Sequence, residues 1–406
     1  NFYNDYLEIL FYDTLNNANR EGADPSFSRY FNCRIPFLNG GLFEPEYDWH
    51  GTKVYLGNGV FKNIFEVFDR FNFTVEEESP DDKEVAVDPE MLGKVFENLL
   101  EENLRKGKGT YYTPREIVHY MCRESLVNYL VSQSGFKEDG IRSLILNHES
   151  GFSPDEAHVL SGLLSGIKVC DPACGSGAFL VGMLNEIVNA RRALDPGGSE
   201  YLLKKETIQG CIYGVDIDPG AVEIAKLRLW LSLVVDYELA DIEPLPNLDY
   251  KIMCGNSLLE ELIVGGESIP LFDPKVLEKG RPKRKSSDKL MQMDFLKQDA
   301  EEYLKILRKL HLEYFHETDT QKKKAVRGRI EKIEMDFIQS SIDSRVKEIE
   351  TRIKNLNMQK PEDRKKNAVF LKKKLEYMAI PSDIRKSKVR PYFLWHLNFF
   401  EVFQEK

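Results

Sequence analysis

Apolar residues recur along this chain in two rhythms, and the change from one to the other marks where strands give way to helices. Short apolar runs ending in an acid or a glycine lie at Lys168–Asp171, Gly210–Asp216 and Tyr250–Cys254, and each predicts a strand. An apolar helix follows Gly177. A second follows Asp218, whose side chain suits an N-cap and is succeeded by Pro219, so this helix is expected to run from Pro219 to Tyr237. Strand, helix, strand, helix, strand is the first half of a doubly wound sheet. Farther along, Tyr303, Leu307, Leu310 and Tyr314 repeat at helical spacing, as do Ile330, Ile333 and Phe337 and then Ile342, Val346, Ile349, Ile353 and Leu356. They predict two long helices, and the break at Glu317–Thr320 suits an antiparallel turn between them. Pro361 and Pro381 are expected to bound a third helix carrying Phe370, Leu371, Leu375 and Met378. Upstream, helices are expected at Asn4–Asn17, Val60–Phe71 and Pro89–Arg105, and a short hairpin at Phe73–Glu76 with Glu84–Asp88.

The chemistry concentrates where the strands end. The first strand runs into Asp171-Pro172-Ala173-Cys174-Gly175-Ser176-Gly177, an acid followed by a Gly-x-Gly turn that opens a helix. Gly175 and Gly177 permit a tight turn and close backbone approach to a ligand. The third glycine of the dinucleotide pattern is absent, since Leu180 stands in its place. The second strand ends at Asp216, where a carboxylate can accept two hydrogen bonds from ribose hydroxyls. The third breaks at Gly255-Asn256-Ser257, whose side chains can read an adenine edge. Each assignment has a plainer alternative. Asp171 and Asp216 can simply be strand-end carboxylates capping nearby helices, Asn256 can belong to an ordinary Gly-Asn turn, and Thr113 can be the N-cap of the helix through Ile117 and Tyr120.

In four places the sequence resembles the amino-group adenine-specific DNA methyltransferases of restriction-modification and phage-defence systems. Gly109–Val118 resembles that family's upstream motif, Asp171–Gly177 its glycine loop, Val215–Pro219 its ribose-binding strand end and Gly255–Leu258 its adenine-side turn, in the family's order and spacing. Ile35–Phe43 and Asp88–Glu97 resemble phrases of the type IIG and BREX-type branch, so the likeness covers roughly residues 30 to 260. The resemblance implies an α/β fold, a Rossmann-like class I S-adenosylmethionine-dependent methyltransferase core. It also implies a cofactor site of Tyr112, Thr113, Asp171, Pro172, Ala173, Gly175, Gly177, Asp216, Ile217 and Asn256. The family's catalytic Asn/Asp-Pro-Pro-aromatic loop has no counterpart, because the chain contains no Pro-Pro dipeptide. Phe393–Phe403 resembles the helix that precedes that loop. The chain is therefore expected to be a piece of a longer protein, the core incomplete, with no catalytic residue of its own and no useful methyl transfer alone. In the family that loop accepts the amino hydrogens of a flipped-out adenine, whose lone pair is otherwise delocalised into the ring.

The expected organisation is a mainly helical region at 1–106, the first half of the methyltransferase core at 107–264, a basic helical insertion at 265–390 and a returning helix at 391–406. Charge supports the insertion. The chain carries −10 overall, yet residues 281–390 hold 30 Lys and Arg against 18 Asp and Glu, a net of +12, and the remainder carries −22. This arm is either a strut along the DNA backbone or a solvated coiled arm. Six cysteines without a Cys-x-x-Cys pair fit apolar packing in a reducing, cytoplasmic compartment. No run is long enough to span a bilayer, and the histidines show no zinc spacing, so neither membrane nor metal is expected. Double-stranded DNA is the implied partner of the parent protein, with defence-system or restriction subunits as further candidates. Two other readings remain open: a non-catalytic assembly module carrying the helical arm, and an NAD-dependent enzyme. The second is disfavoured by the missing glycine and by the gap from Asp171 to Asp216, since about 20 residues is usual for dinucleotide folds.

Overall fold

The computed structural model describes residues 1–17, 20, 26–38, 43–45, 47–70, 72–73, 86–87, 89, 91, 93–95, 113–234, 244–264, 267–270, 305–386 and 392–403. These residues fall into two units, one of 1–253 with 315–319 and one of 254–314 with 320–406.

In the first unit the N-terminal helix forms as expected, but Tyr3–Leu7 and Ile9–Leu15 are wound in the wider i→i+5 pattern. Helix α1 (Asn58–Phe68) follows. The expected hairpin is corrected: Asn72–Phe73 and Ala86–Val87 pair in parallel, which a tight turn cannot connect. The expected helix Pro89–Arg105 lies largely outside the described residues.

From residue 113 the core is continuous. Helix α2 (Arg115–Ser134) ends at Gly135 in the left-handed region, and α3 (Pro154–Gly166) opens with a capping box between Ser153 and Glu156. Strand β1 (Val169–Asp171) leads into α4 (Ala178–Leu194), then α5 (Glu200–Gly210), strand β2 (Ile212–Asp216), α6 (Pro219–Val234) and strand β3 (Ile252–Cys254). The strands form one sheet in the order β1-β2-β3, with β1 parallel to β2 and Val169 opposite Ile212. The architecture is thus mostly helical around a small parallel sheet. Its core is built from Leu126 and Leu130 of α2, Leu180, Leu184 and Ile187 of α4, Ile212 and Val215 of β2, and Leu229 and Leu233 of α6, all buried.

Two glycines make this packing possible. A Cβ at Gly182 would lie 2.7 Å from Val118 Cγ1, so its absence lets α2 press onto α4. A Cβ at Gly214, in the central strand, would lie 2.7 Å from Leu180 Cδ1. The space that a third glycine would leave on the helix is instead left on the strand, and Leu180 fills it.

A buried ion pair ties α6 to the approach to β3. Lys226 Nζ donates to Asp249 Oδ1 at 2.7 Å and to Glu223 Oε1 at 2.9 Å, with the lysine side chain 8% exposed. Burial pushes the Lys226 pKa down, but Asp249 and Glu223 outweigh it and the net direction is up. A raised lysine contributes its stability fully below the unfolded value of about 10.4 and loses it as pH rises through the folded value. Asp249→Asn is therefore expected to lower stability at neutral pH by about 2 kcal/mol, less than for a fully buried pair because Glu223 remains. The deficit should shrink above about pH 10.5. Denaturant melts across pH 7–11 check this, and a deficit independent of pH would refute it.

The second unit carries the helical arm. Residues 305–316 are helical, the break falls at 317–319 as expected, and α7 (Thr320–Lys354) and α8 (Pro361–Lys386) follow. Helix α8 runs through Pro381 instead of stopping there. Its buried face is also not the expected one, since Leu371, Leu375 and Met378 are exposed while Tyr377 and Ile380 are buried. Lys323, one of a basic triplet, is buried with its ammonium 5.9 Å from the Tyr314 ring. No helix among the described residues is long and apolar enough to cross a membrane.

Candidate cofactor site

The glycine loop begins where β1 ends. Asp171 Oδ1 accepts from the Ala173 N–H at 3.0 Å, which turns the chain through Pro172 and Ala173, both exposed. Gly175 and Gly177 then take φ of +53° and +86°. The two glycines differ in surroundings. Among the described residues nothing lies within 4 Å of a Cβ placed on Gly175, whereas one on Gly177 would lie 3.0 Å from Ala225 Cβ and 3.2 Å from its Cα. Gly177 is needed so that α6 can approach, whereas no described residue crowds the space over Gly175.

Asp216 holds this loop from the neighbouring strand. Its Oδ2 accepts from Gly175 N–H at 2.8 Å, and its Oδ1 from Asp218 N–H at 2.8 Å. Asp218 in turn caps α6, accepting from Gly220 N–H at 2.8 Å and Ala221 N–H at 3.3 Å. Neither strand-end acid caps a helix, contrary to the plainer reading, because Gly177 and Asp218 take the N-cap positions and the acids instead hold turn amides; each carboxylate oxygen keeps a second lone pair. Asp171 has its pKa raised, mainly by burial, with the Ala173 hydrogen bond opposing and Asp216 adding to it. Ile217, next along the turn, is an apolar side chain that is 50% exposed.

Sequence reasoning missed other supports of the loop. Arg228, buried on α6, donates from its Nη1 to Ser176 O at 3.0 Å. Gly93 abuts the same residue, since a Cβ there would lie 2.4 Å from Ser176 Oγ. The available signals were a charge within the apolar run of α6 and a glycine within a helical phrase. A third is Glu186, the lone acid within the apolar run of α4. It is 2% exposed and its Oε1 accepts from His119 Nδ1 at 2.9 Å and Arg123 Nε at 2.7 Å, both on α2.

Thr113 is not the cap of α2. Pro114 occupies that position without a side-chain hydrogen bond, because Thr113, preceding a proline, is biased to extended backbone one residue too early. Tyr112 lies outside the described residues. Asn256 belongs to the second unit, where its Oδ1 accepts from Leu258 N–H at 3.1 Å. That turn is joined to the returning segment: Trp395 Nε1–H donates to Ser257 O at 2.9 Å and Phe393 N–H to Leu259 O at 2.8 Å. A Cβ on Gly255 would lie 2.9 Å from Tyr392 O, which explains the glycine there. Among the described residues no group of His, Cys, Asp and Glu could hold a metal ion.

Two family models match overlapping segments of this chain, the MmeI DNA-methyltransferase domain at residues 148–261 and the Eco57I restriction-modification methylase at residues 210–402. The chain is 33% identical over 288 residues to a putative type II restriction enzyme and methyltransferase of Methanocaldococcus jannaschii, covering 64% of this chain and 24% of the relative. It is 25% identical to DNA methyltransferase A of Bacillus subtilis, over 51% of this chain and 20% of that one. It is also 25% identical to the adenine-specific methyltransferase PglX of Streptomyces coelicolor, over 53% and 15%. The solved structure of the type IIL restriction-modification enzyme MmeI in complex with DNA aligns with a TM-score of 0.41 at 18% identity, over 64% of this chain and 32% of that one. The chain thus spans a quarter or less of these curated relatives. The matched residues are similar to restriction-modification DNA methyltransferases, a likeness shared by the Eco57I and MmeI models and by the type IIG and BREX-like relatives such as PglX.

Proposed function

We propose that this chain is the S-adenosylmethionine-binding portion of a site-specific adenine DNA methyltransferase with a Rossmann-like class I core. The observation that carries the reading is the Asp216 carboxylate, which holds the Gly175 amide and its own turn, with no described residue within 4 Å of the space over Gly175. A ligand with vicinal hydroxyls, an apolar aromatic base and a cationic tail suits these residues. Asp216 has lone pairs left for the hydroxyls, and exposed Ile217 offers a surface for the base. The half-buried carboxylate of Asp171, held above its usual range mainly by desolvation, gains from a nearby positive charge such as an α-ammonium. When bound, S-adenosylmethionine supplies a methyl group on a sulfonium, an electrophile that needs no metal. Thr113 and, at the sequence level, Tyr112 are assigned to close over its methionine end, and Asn256 to the adenine edge.

The methyl acceptor assigned to the parent protein is the exocyclic amino group of adenine in double-stranded DNA. Because this sequence contains no Pro-Pro dipeptide for a catalytic loop of that kind, the chain alone should bind the methyl donor and not transfer it. The fit is poorer for a dinucleotide, because Leu180 fills the place of the third glycine and is itself fully buried.

Calorimetric titration with S-adenosylmethionine and, separately, NAD tests this reading. Saturable binding of the methyl donor alone is expected. Binding of NAD alone would sink the methyltransferase assignment of the site.

A further inference from the structure

A carboxylate buried in an apolar helix face must be paired to remain there. Glu186 has buried Val181, Met183, Leu184, Ile187 and Val188 as neighbours along α4, and one of its oxygens, Oε2, has no hydrogen-bond partner among the described residues. The other oxygen receives both donors from α2. His119 and Arg123 are four residues apart and so share one face of that helix, and a ring nitrogen facing a carboxylate must carry the proton. One turn before Glu186, Gly182 admits Val118. The two helices are therefore fixed at neighbouring points by two kinds of contact, apolar at Gly182 and charged at Glu186. Two points set both the rotation of α2 and its position along α4.

Helix α4 starts at the glycine loop, and α2 starts just after Thr113, the residue assigned above to the methionine end of the ligand. Gly177 stands five residues before Gly182 on one chain segment, and Thr113 five residues before Val118 on the other. At about 1.5 Å per residue, Gly177 lies within roughly 8 Å of that contact along α4, and Arg115, the first residue of α2, within about 5 Å of it, with Thr113 just beyond. A small rotation of α2 about that contact would displace Thr113–Pro114 relative to the glycine loop. The β1 and β2 strand ends, which hold Asp171 and Asp216, do not depend on α2 for their hydrogen bonds.

We propose that Glu186, through His119 and Arg123, is a positioning residue of the cofactor site, fixing the start of α2 against the glycine loop so that Thr113 is set for the amino-acid end of the ligand. This rests on the reading that the loop binds S-adenosylmethionine. Its consequence is selective. Loss of the latch weakens ligands that carry the methionine tail and leaves those that end at the sulfur nearly untouched, whereas a merely structural role would weaken both alike.

The experiment compares S-adenosylmethionine with 5′-methylthioadenosine, which has the same base, ribose and sulfur but no amino-acid tail. Glu186→Gln is paired with Arg123→Gln, because Arg123 is one-third exposed and its loss is easier to accommodate if the buried variant fails to fold. Each variant is expected to bind S-adenosylmethionine about 10-fold more weakly and methylthioadenosine within twofold of wild type. Equal losses for both ligands, or no loss in Arg123→Gln, would overturn the proposal while leaving the cofactor reading standing. A wild-type chain that binds neither ligand would overturn both. A variant too unstable to titrate is replaced by Arg123→Gln alone, on which the same two outcomes decide.

Discussion

Asp216→Ala is expected to reduce affinity for S-adenosylmethionine by at least about 100-fold, a loss of about 2.7 kcal/mol. The size follows from the number of jobs the carboxylate holds. It accepts the Gly175 amide across the sheet and the Asp218 amide within its own turn, each at 2.8 Å. Hydrogen bonds to a charged acceptor contribute about 1.5 to 3 kcal/mol each, and an orphaned donor costs a similar amount. The alanine therefore loses both the lone pairs offered to ligand hydroxyls and the fixed geometry of the glycine loop. Asp216→Asn separates these effects, because its carbonyl oxygen can still accept one of the two amides while its NH₂ cannot. It should bind with intermediate affinity. Calorimetry gives the affinities and a thermal melt confirms folding. Affinity within threefold of wild type in a folded Asp216→Ala chain would remove Asp216 from the site.

The largest expected effect on stability comes from the glycine loop, and it divides its two glycines. Gly177→Ala should destabilise the fold by roughly 3 kcal/mol, the sum of a left-handed backbone penalty and of forcing a methyl group into a filled space. At φ +86° the residue lies beyond the usual left-handed well, and the added Cβ would meet Ala225 at 3.0 Å and its Cα at 3.2 Å. The neighbour is a helix backbone atom, so relief requires moving α6. Gly175→Ala meets no atom of the described residues within 4 Å and sits at φ +53°, inside the left-handed well. It should cost only about 1 kcal/mol. Yet its methyl group would enter the space over the loop, so it should weaken the ligand more than Gly177→Ala does in chain that remains folded. Denaturant melts and titrations of the two variants check the crossing pattern. Equal stability losses would show that the Ala225 contact relaxes freely.

Part of this was legible in the chain itself. Apolar patterning located α4, α6 and the arm helices because each carries its own apolar run or repeat, whereas α2 was read from the Thr113-Pro114 start. Strands β1 and β2 were visible because short apolar runs ended at Asp171 and Asp216. The local chemistry of Asp218 and Pro219 fixed the start of α6 within one residue, since a cap acts over a single turn and needs no tertiary partner. The two strand-end acids and the two glycines of the loop were likewise read from order and spacing.

What the sequence did not determine lies between elements. The short pairing at Asn72–Phe73 with Ala86–Val87 reads as a hairpin by proximity along the chain, and only the tertiary arrangement makes it parallel. The face of α8 was misread because Leu371, Leu375 and Met378 satisfy a helical repeat as well as the buried Tyr377 and Ile380 do, and a repeat specifies a stripe without saying which stripe is covered. Pro381 stopped the expected helix because a local rule cannot see the packing around it. Gly182 and Gly214 are ordinary glycines in one dimension and close contacts in three, and Glu186 and Arg228 are isolated charges whose partners lie tens of residues away. By itself the chain determined the order of elements and the loop chemistry at the strand ends, because those depend on short-range backbone conformation and local hydrogen bonds. Which faces meet, and which charges are buried to hold them, was decided only by the tertiary structure, since those depend on packing volume and desolvation that no local window contains.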